Sequence, residues 1–229
     1  ILGAESQGMI GFMLEQALRN ELPATPVATL LTSVRVDRDD PAFGAPTKFI
    51  GPGYSAEEAQ ELAQQRGWTF ARDGDRVRRV VPSPEPKAVL ELDAVRILSD
   101  AGCLVVCGGG GGVPVIRDDA GSLTGVEGVI DKDLTSALLA EQLGADRLLL
   151  LTDVEVVQTG WGTGMAHPLR ETTAKTLRHL SFEPGSMGPK VEAACRFVER
   201  TGHAAAIGAL SDAESLLAYD AGTQVLPCP

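Results

Sequence analysis

The sequence has 229 residues, of which 44% are hydrophobic and 22% are charged, as is typical of a globular protein with a sizeable core. Its 31 acidic and 20 basic residues give a net charge of −11, and this sign disfavours binding to nucleic acid or to an anionic membrane surface. The four cysteines lack the paired spacing of a zinc site and no stretch is typical of a membrane span, so we expect a cytoplasmic protein with reduced thiols.

The N-terminal part of the chain is expected to form a helix followed by a buried strand. Apolar residues at Ile10, Leu14 and Leu18 recur at helical spacing, and residues 26–36 are rich in β-branched and apolar side chains. The helical pattern starts almost at the first residue, with no initiator methionine and no strand before it. We therefore expect the sequence to be a piece that lacks the beginning of its fold.

The next segment, residues 37–87, differs in composition from the rest, because it holds much of the proline and a dense set of charges. Inside it, SAEEAQELAQQRG predicts a short helix with acidic residues in its first turn and Gly67 at its end. The run VPSPEP predicts a stiff connection, since proline fixes φ and restricts its neighbour. The segment is either a long surface loop or an excursion from the main body. We predict the excursion.

From Ala88 onward, helix and strand patterns alternate along the chain. Helices are predicted in AVLELDAVRILSDAG, DKDLTSALLAEQLGA and PKVEAACRFVERTG, and strands in CLVVC, DRLLLLTDVEVV and HAAAIGAL. Continuously apolar strands between helices are typical of a mostly parallel sheet with helices on both faces. Such sheets bind ligands at the carboxyl ends of their strands, so the loops that follow the strands are the candidate sites.

One of these loops is a run of five glycines, Gly108 to Gly112, directly after the strand CLVVC. Glycine lets backbone amides approach a ligand with no side chain in between. The run has neither the spacing of a P-loop nor that of a dinucleotide-binding GxGxxG motif. A flexible loop with no ligand remains the alternative.

Lysines accompany several of the other loops. Lys132 lies between Asp131 and Asp133 at a predicted helix start, where a lysine is tolerated if it pairs with carboxylates or meets an anion. Lys190 follows GSMGP at the mouth of another helix, where free N–H groups bind anions. Lys48 lies in the segment APTKFIGPGY. The plainer explanations are helix capping by Asp131 or Asp133, a structural turn before Lys190 and a solvated side chain at Lys48.

Thr152 and Asp153 end the strand LLLLT at the edge where a ligand is expected, although both residue types are also common in turns. Lysines beside glycine-rich loops together predict a site for a small phosphorylated species. The sequence shows no Ser-His-Asp or Cys-His set. This favours phosphoryl transfer by positioning and electrostatics, without a covalent intermediate.

Several blocks occur in the same order as in the carbamate kinases of the amino-acid-kinase superfamily, which the sequence therefore resembles. These blocks are GAESQGMIGFML, PTKFIGPGY, RRVVPSPEP, CGGGGGVPV, GVIDKDLTSALLA, LTDVEVV and PGSMGPKVEAA. The resemblance covers essentially the whole chain. It implies a three-layer αβα sandwich around a mostly parallel open sheet, with residues 1–40 and 87–229 as the core and residues 41–86 as a protruding lid.

The resemblance also implies the reaction, a reversible phosphoryl transfer between ATP and carbamate that gives ADP and carbamoyl phosphate with Mg²⁺. Lys132 would bind oxygens of the transferring group, and Asp133 would orient the catalytic lysines. Lys190 would contact nucleotide phosphates, and Lys48 would reach down from the lid. Backbone amides would contact the carbamate or phosphoryl end of the substrate, from Gly108, Gly109, Gly110 and Gly111. The nucleotide would bind near Thr152, Asp153, Met187 and Gly188.

The family resemblance further implies a cytoplasmic homodimer that acts in arginine and carbamoyl-phosphate metabolism, and it assigns no protein ligand to the metal. The helix with GMIGFMLEQAL would be either a dimer interface or a buried intramolecular helix. Two departures are clear: Phe49 stands where the family usually has proline, and the family's first strand and glycine-asparagine loop are absent. Two alternatives stay open, namely a superfamily member with another acceptor and a catalytically silent nucleotide-binding protein.

Overall fold

The computed structural model describes residues 1–162, 164–182 and 185–228, and the chain divides into two units, Ile1–Lys132 and Asp133–Pro229. The division falls at the first residue of a helix, Lys132. Within the described ranges, no helix is long and apolar enough to cross a membrane.

The first unit contains three helices and nine short strands. The helices are α1 (Leu2–Glu21), α2 (Ala56–Arg66) and α3 (Leu92–Asp100). The strands are β1 (Val27–Thr29), β2 (Ser33–Arg35), β3 (Lys48–Tyr54), β4 (Thr69–Asp73), β5 (Arg76–Val81), β6 (Ala88–Val89), β7 (Leu104–Val106), β8 (Val113–Arg117) and β9 (Leu123–Gly125).

The single strand predicted over residues 26–36 is in fact two short strands in different sheets. β1 pairs in parallel with β7, whereas β2 belongs to a four-stranded sheet of order β6-β2-β8-β9, in which β2 and β8 are parallel. The break falls at Thr32, whose N–H donates to Oε1 of Gln7 at 3.0 Å and whose carbonyl accepts from Nε2 of Gln7 at 3.1 Å. A side chain of α1 therefore binds the backbone at the break, where the Thr32 carbonyl also accepts from the Val113 N–H at 2.9 Å.

Residues 41–86 form a three-stranded antiparallel sheet of order β3-β5-β4 together with helix α2. The predicted bounds of this helix are confirmed. Its start is a reciprocal capping box, in which Ser55 accepts from the Glu58 N–H and Glu58 accepts from the Ser55 N–H, and Gly67 ends it with φ of 67°. The assignment of this segment as a separate lid, with residues 1–40 and 87–229 as the core, stays a prediction.

Helix α1 packs through a narrow face. Its buried residues are Gln7 and Gly11, and a Cβ at Gly11 would lie only 2.3 Å from Cγ2 of Thr29. On the other side, Met9, Phe12 and Met13 are 62%, 64% and 62% exposed. The helix is confirmed, and its apolar face is open to solvent in the described chain.

The second unit is built around a four-stranded sheet of order β10-β14-β15-β13. Its helices are α4 (Lys132–Leu143), α5 (Ala174–Arg178), α6 (Met187–Thr201) and α7 (Ala213–Leu217). Its strands are β10 (Leu148–Thr152), β11 (Gln158–Thr159), β12 (His167–Pro168), β13 (Glu171–Thr173), β14 (Ala205–Ala209) and β15 (Thr223–Leu226). Strands β10 and β14 are parallel, as are β13 and β15, while β14 and β15 are antiparallel.

Strand β14 is buried along its whole length, and α6 packs on it with a face that includes Val191, Ala194 and Phe197. Alanine-rich β14 leaves room for this face, and Gly202 ends the helix with φ of 72°. Parallel pairs of apolar strands alternating with helices confirm the α/β class expected from the sequence. Of the predicted core, Thr163, Glu183, Pro184 and Pro229 lie outside the described residues.

Candidate active site

In the first unit, Lys48 is held against a carboxylate. Lys48 is the first residue of β3, and its Nζ donates to Oδ2 of Asp131 at 2.7 Å. The Asp131 side chain is only 11% exposed, whereas the Lys48 side chain is 37% exposed. A lysine with a fixed partner and a partly open side chain can present its positive charge to a ligand at a defined place. The solvated-side-chain explanation does not account for this pairing.

The five glycines adopt a turn with a defined backbone conformation. Gly109–Gly111 make a short 3₁₀ turn, and Gly108, Gly110, Gly111 and Gly112 all have positive φ, between 64° and 90°. A Cβ at Gly111 would lie 2.2 Å from the carbonyl oxygen of Ile130, and one at Gly112 would lie 2.4 Å from Cγ2 of Val34. Backbone conformation and close packing therefore both require glycine here.

Hydrogen bonding inside the turn decides which of the predicted amides are engaged. The Gly108 N–H donates to Oγ1 of Thr32 at 2.8 Å, and the Gly111 N–H donates to the Gly108 carbonyl at 2.9 Å. Gly109 and Gly110 are the solvent-exposed members of the turn. Of the four glycines predicted to contact the substrate, these two have the backbone most open to a ligand.

Cys107 precedes the turn and is half-buried. Burial, and after it the negative charge of Glu91, raises the pKa of the Cys107 thiol. The residue is therefore a neutral thiol at physiological pH and a poor nucleophile.

Lys132 is the first residue of α4 and is exposed, between the buried residues Asp131 and Asp133. The carboxylates on either side are each used by another lysine, because Lys48 pairs with Asp131 and Lys190 pairs with Asp133. The two acids of the IDKD sequence thus form two separate ion pairs, one in each unit, and neither pair includes the lysine between them.

In the second unit, Lys190 and Asp133 form a buried ion pair. Nζ of Lys190 donates to Oδ2 of Asp133 at 2.9 Å, and their side chains are 10% and 9% exposed. Removing two charges from water costs free energy that their attraction only partly returns, so a buried ion pair is weak evidence for a stabilising role. Lys190 comes from the first turn of α6 and Asp133 from the first turn of α4.

The sequence pattern predicts that this helix starts at Pro189. In the structure α6 begins at Met187, so Pro189 is its third residue. Ser186 precedes the helix and its side chain makes no capping hydrogen bond. Met187 and Gly188 are therefore in the first turn, where N–H groups have no partner inside the helix. Pro184 of the PGSMGPK block lies outside the described residues.

Thr152 and Asp153 lie at the carboxyl end of β10, as predicted. Oγ1 of Thr152 donates to Oδ1 of Asp153 at 3.0 Å, and the Asp153 side chain is exposed. The structure thus pairs these two residues in the second unit. The nucleotide contacts predicted for them stay predictions.

The sequence offers helix capping as one explanation of Asp131 and does not reveal it as the partner of Lys48. Nor does it reveal Thr32 and Gln7, which hold the glycine turn and the break between β1 and β2. The separation of Lys48 and Asp131 by 83 positions explains the first omission, since no local pattern links them. The one signal in the sequence is that Asp131 belongs to the block GVIDKDLTSALLA.

Comparison with known proteins gives a consistent result. The model of the amino acid kinase family matches residues 13–209. The carbamate kinase of Rhizobium meliloti is 54% identical over 226 residues, which cover 97% of this chain and 70% of that protein. The carbamate kinase of Pyrococcus furiosus is 47% identical over 236 positions, covering 99% of this chain and 75% of that protein.

Among solved structures, the carbamate kinase of Giardia lamblia bound to AMP-PNP superposes with a TM-score of 0.90 at 38% sequence identity. The match covers 99% of this chain and 74% of that one.

Proposed function

The chain belongs to the amino acid kinase family and, within it, to the carbamate kinases, and on this premise we propose how its own residues carry out the reaction. The family and the α/β fold expected from the sequence are confirmed by these relatives. The chain is an ATP-dependent phosphotransferase that moves a phosphoryl group between ATP and carbamate in either direction.

The chemistry of this transfer explains the kind of residue that the site requires. In the direction of ATP synthesis, a β-phosphate oxygen of ADP forms a bond to phosphorus while the bond from phosphorus to the carbamate oxygen breaks. Carbamate leaves as an anion, so no proton has to be exchanged and no general base is required. The protein has to hold two anions in line and to neutralise charge on the transferring oxygens, which is work for lysines and backbone amides.

We assign that work to three lysines. Lys132 would bind oxygens of the transferring phosphoryl group, Lys190 would contact the nucleotide phosphates, and Lys48 would reach the substrate from residues 41–86. The observation that best supports these assignments is the pairing of Lys48 and Lys190 with Asp131 and Asp133, at 2.7 and 2.9 Å. A lysine fixed by a carboxylate is oriented before the substrate arrives, and preorganised charge stabilises a transition state without reorganisation.

The remaining contacts follow from exposed backbone and strand ends. Gly109 and Gly110 would donate their amides to the carbamate or phosphoryl end, and Gly108 and Gly111 would shape the turn that presents them. Met187 and Gly188 would offer first-turn N–H groups of α6 to the nucleotide phosphates, supported by the lack of a side-chain cap at Ser186. Thr152 and Asp153 would lie near the nucleotide.

Mg²⁺ would enter with the nucleotide. Mg²⁺ keeps several waters and is usually held by phosphates with one or two carboxylates rather than by a cage of side chains. The described residues contain no group of three or more His, Cys, Asp or Glu placed to hold a metal. A Mg²⁺ carried by the nucleotide would neutralise phosphate charge, and no residue of the chain is assigned as its ligand.

Three broader assignments are also proposals. Residues 41–86 would act as a lid over a core of residues 1–40 and 87–229, supported by the separate sheet β3-β5-β4. A homodimer would bury the exposed apolar face of α1, since large exposed apolar patches mark interaction surfaces. A cytoplasmic location is supported by the four free cysteines, and a role in arginine and carbamoyl-phosphate metabolism by the similarity to carbamate kinases.

The test is formation of ATP from ADP and carbamoyl phosphate by the purified chain. The Lys132→Ala variant should lower kcat by about 100-fold or more, because a positive charge on the transferring group is lost. Lys175→Ala, which removes an exposed lysine of α5, is the matched control and should retain wild-type turnover. Wild-type turnover by Lys132→Ala would reject its assignment. Nucleotide binding without turnover by the wild type would instead support a catalytically silent protein.

A further inference from the structure

The loop over residues 126–131 carries Asp131 and is tied down along its length. The Val126 N–H donates to the Pro114 carbonyl at 3.1 Å, and the Val129 N–H donates to the Pro82 carbonyl at 2.9 Å. Gly128 fits closely here, because a Cβ at this position would lie 3.2 Å from the same Pro82 oxygen. The loop therefore rests against the chain that immediately follows β5.

The third attachment is an ion pair between Arg79 of β5 and Glu127 of the loop. The guanidinium of Arg79 stacks over the ring of Trp68 at 4.0 Å, and its side chain is only 15% exposed. Stacking on an aromatic ring favours arginine, whose planar group can donate hydrogen bonds at the same time. Trp68 therefore fixes the guanidinium in the position from which it meets Glu127.

Stability alone is a poor explanation for this arrangement. Glu127 is 69% exposed, and ion pairs with an exposed partner contribute little to folding. Nε of Arg79 is moreover buried with no hydrogen-bond partner among the described residues, which is unfavourable. A buried polar atom that lacks a partner calls for an explanation beyond packing.

The strand pairing connects this ion pair to Lys48. In the antiparallel ladder of β3 and β5, Lys48 is opposite Val81 and Ile50 is opposite Arg79. The loop thus bridges back to the same two strands at both of its ends, through Glu127 to Arg79 and through Asp131 to Lys48. Fixing one end of so short a loop restricts the position of the other.

We propose that Arg79 and Glu127 are positioning residues for phosphoryl transfer, which hold the loop over residues 126–131 so that Asp131 orients Lys48 toward the carbamoyl end of the substrate. This inference rests on the proposed function of Lys48. Neither residue touches the reacting atoms, so their effect is on the geometry of the lysine and on the substrate that the lysine meets.

The experiment compares Glu127→Gln with Asp73→Asn. Asp73 pairs with Arg78 at 3.1 Å within the same sheet, and this pair does not involve the loop. The Asp73→Asn variant therefore removes a similar ion pair without affecting the attachment of the loop. Glu127→Gln should lower kcat/KM for carbamoyl phosphate about tenfold, because small displacements of a positioning group are costly. It should leave the KM for ADP and the melting temperature unchanged, and Glu127→Asp should recover part of the loss. Asp73→Asn should match the wild type throughout.

A second measurement, amide hydrogen exchange over residues 126–131, does not depend on turnover. Exchange there should be faster in Glu127→Gln than in the wild type or in Asp73→Asn. A wild type without turnover would defeat the proposed function, and exchange would then decide by itself whether Glu127 holds the loop. Unchanged exchange in Glu127→Gln would overturn the inference. So would a loss that affects ADP and carbamoyl phosphate equally together with a lower melting temperature, since that pattern indicates a merely structural pair.

Discussion

Lys190→Met removes one partner of the buried ion pair in the second unit. The side chain of Asp133 is 9% exposed, so the carboxylate would lose its Lys190 partner while it stays largely out of water. Breaking a buried pair costs about 3–5 kcal/mol, and the lower end suits a pair whose members are not completely buried. A loss of about 3 kcal/mol in a chain of this length lowers the melting temperature by about 6–12 °C.

The same substitution should impair catalysis separately from folding. If Lys190 contacts the nucleotide phosphates, its removal should lower turnover by about 100-fold to 1,000-fold, the range seen when one preorganised donor is lost. The two effects can be separated with the double variant Lys190→Met/Asp133→Asn. This variant removes both charges and keeps a hydrogen-bonding group at position 133, so most of the lost stability should return while turnover stays low.

The assays are thermal unfolding followed by circular dichroism, and ATP formation from ADP and carbamoyl phosphate at a temperature well below each midpoint. Lys175→Met, which changes an exposed lysine of α5, is the control and should alter the unfolding free energy by less than about 0.5 kcal/mol. A double variant no more stable than Lys190→Met would refute the reasoning from burial. Near wild-type turnover in the folded single variant would refute the catalytic assignment.

Three further outcomes follow from particular residues. Gly111→Ala should lower the free energy of unfolding in urea more than Gly121→Ala does. Both positions have φ near +90°, but only at Gly111 would the new Cβ lie 2.2 Å from another atom. Equal losses would mean that φ alone decides the cost. Partial burial opposes ionisation of Glu192, but hydrogen bonds from Arg196 and Arg178 outweigh it and lower the pKa of the Glu192 carboxyl below its usual 4.5. Glu192→Gln should therefore destabilise the protein at neutral pH, and its deficit should shrink as the pH falls from 4.5 through the lowered pKa; a deficit independent of pH would exclude this linkage. Burial raises the pKa of the Cys195 thiol to about 11, so iodoacetamide at pH 8 should label exposed Cys228 and spare Cys195 in the native protein, as peptide mass spectrometry can check.

Local patterns gave the elements and the family of this protein. The capping box that starts α2, the glycine that ends α6 and the apolar run of β10 are each encoded within a few neighbouring residues. Propensity and periodicity act at that range, which explains why these elements could be predicted. The candidate lysines were also visible from sequence, because each lies in a distinctive block.

Other features required the fold, because they depend on residues that are distant in the chain. The interruption between β1 and β2 lies at Thr32, whose N–H and carbonyl both meet the side-chain amide of Gln7 on α1. Only the structure shows that Lys48 pairs with Asp131 and Lys190 with Asp133, across 83 and 57 positions. The short spacing of IDKD determined that a lysine would lie between two carboxylates. Tertiary packing decided which lysine each carboxylate binds. A buried carboxylate has little contact with water, so it pairs with the cation that the fold brings next to it.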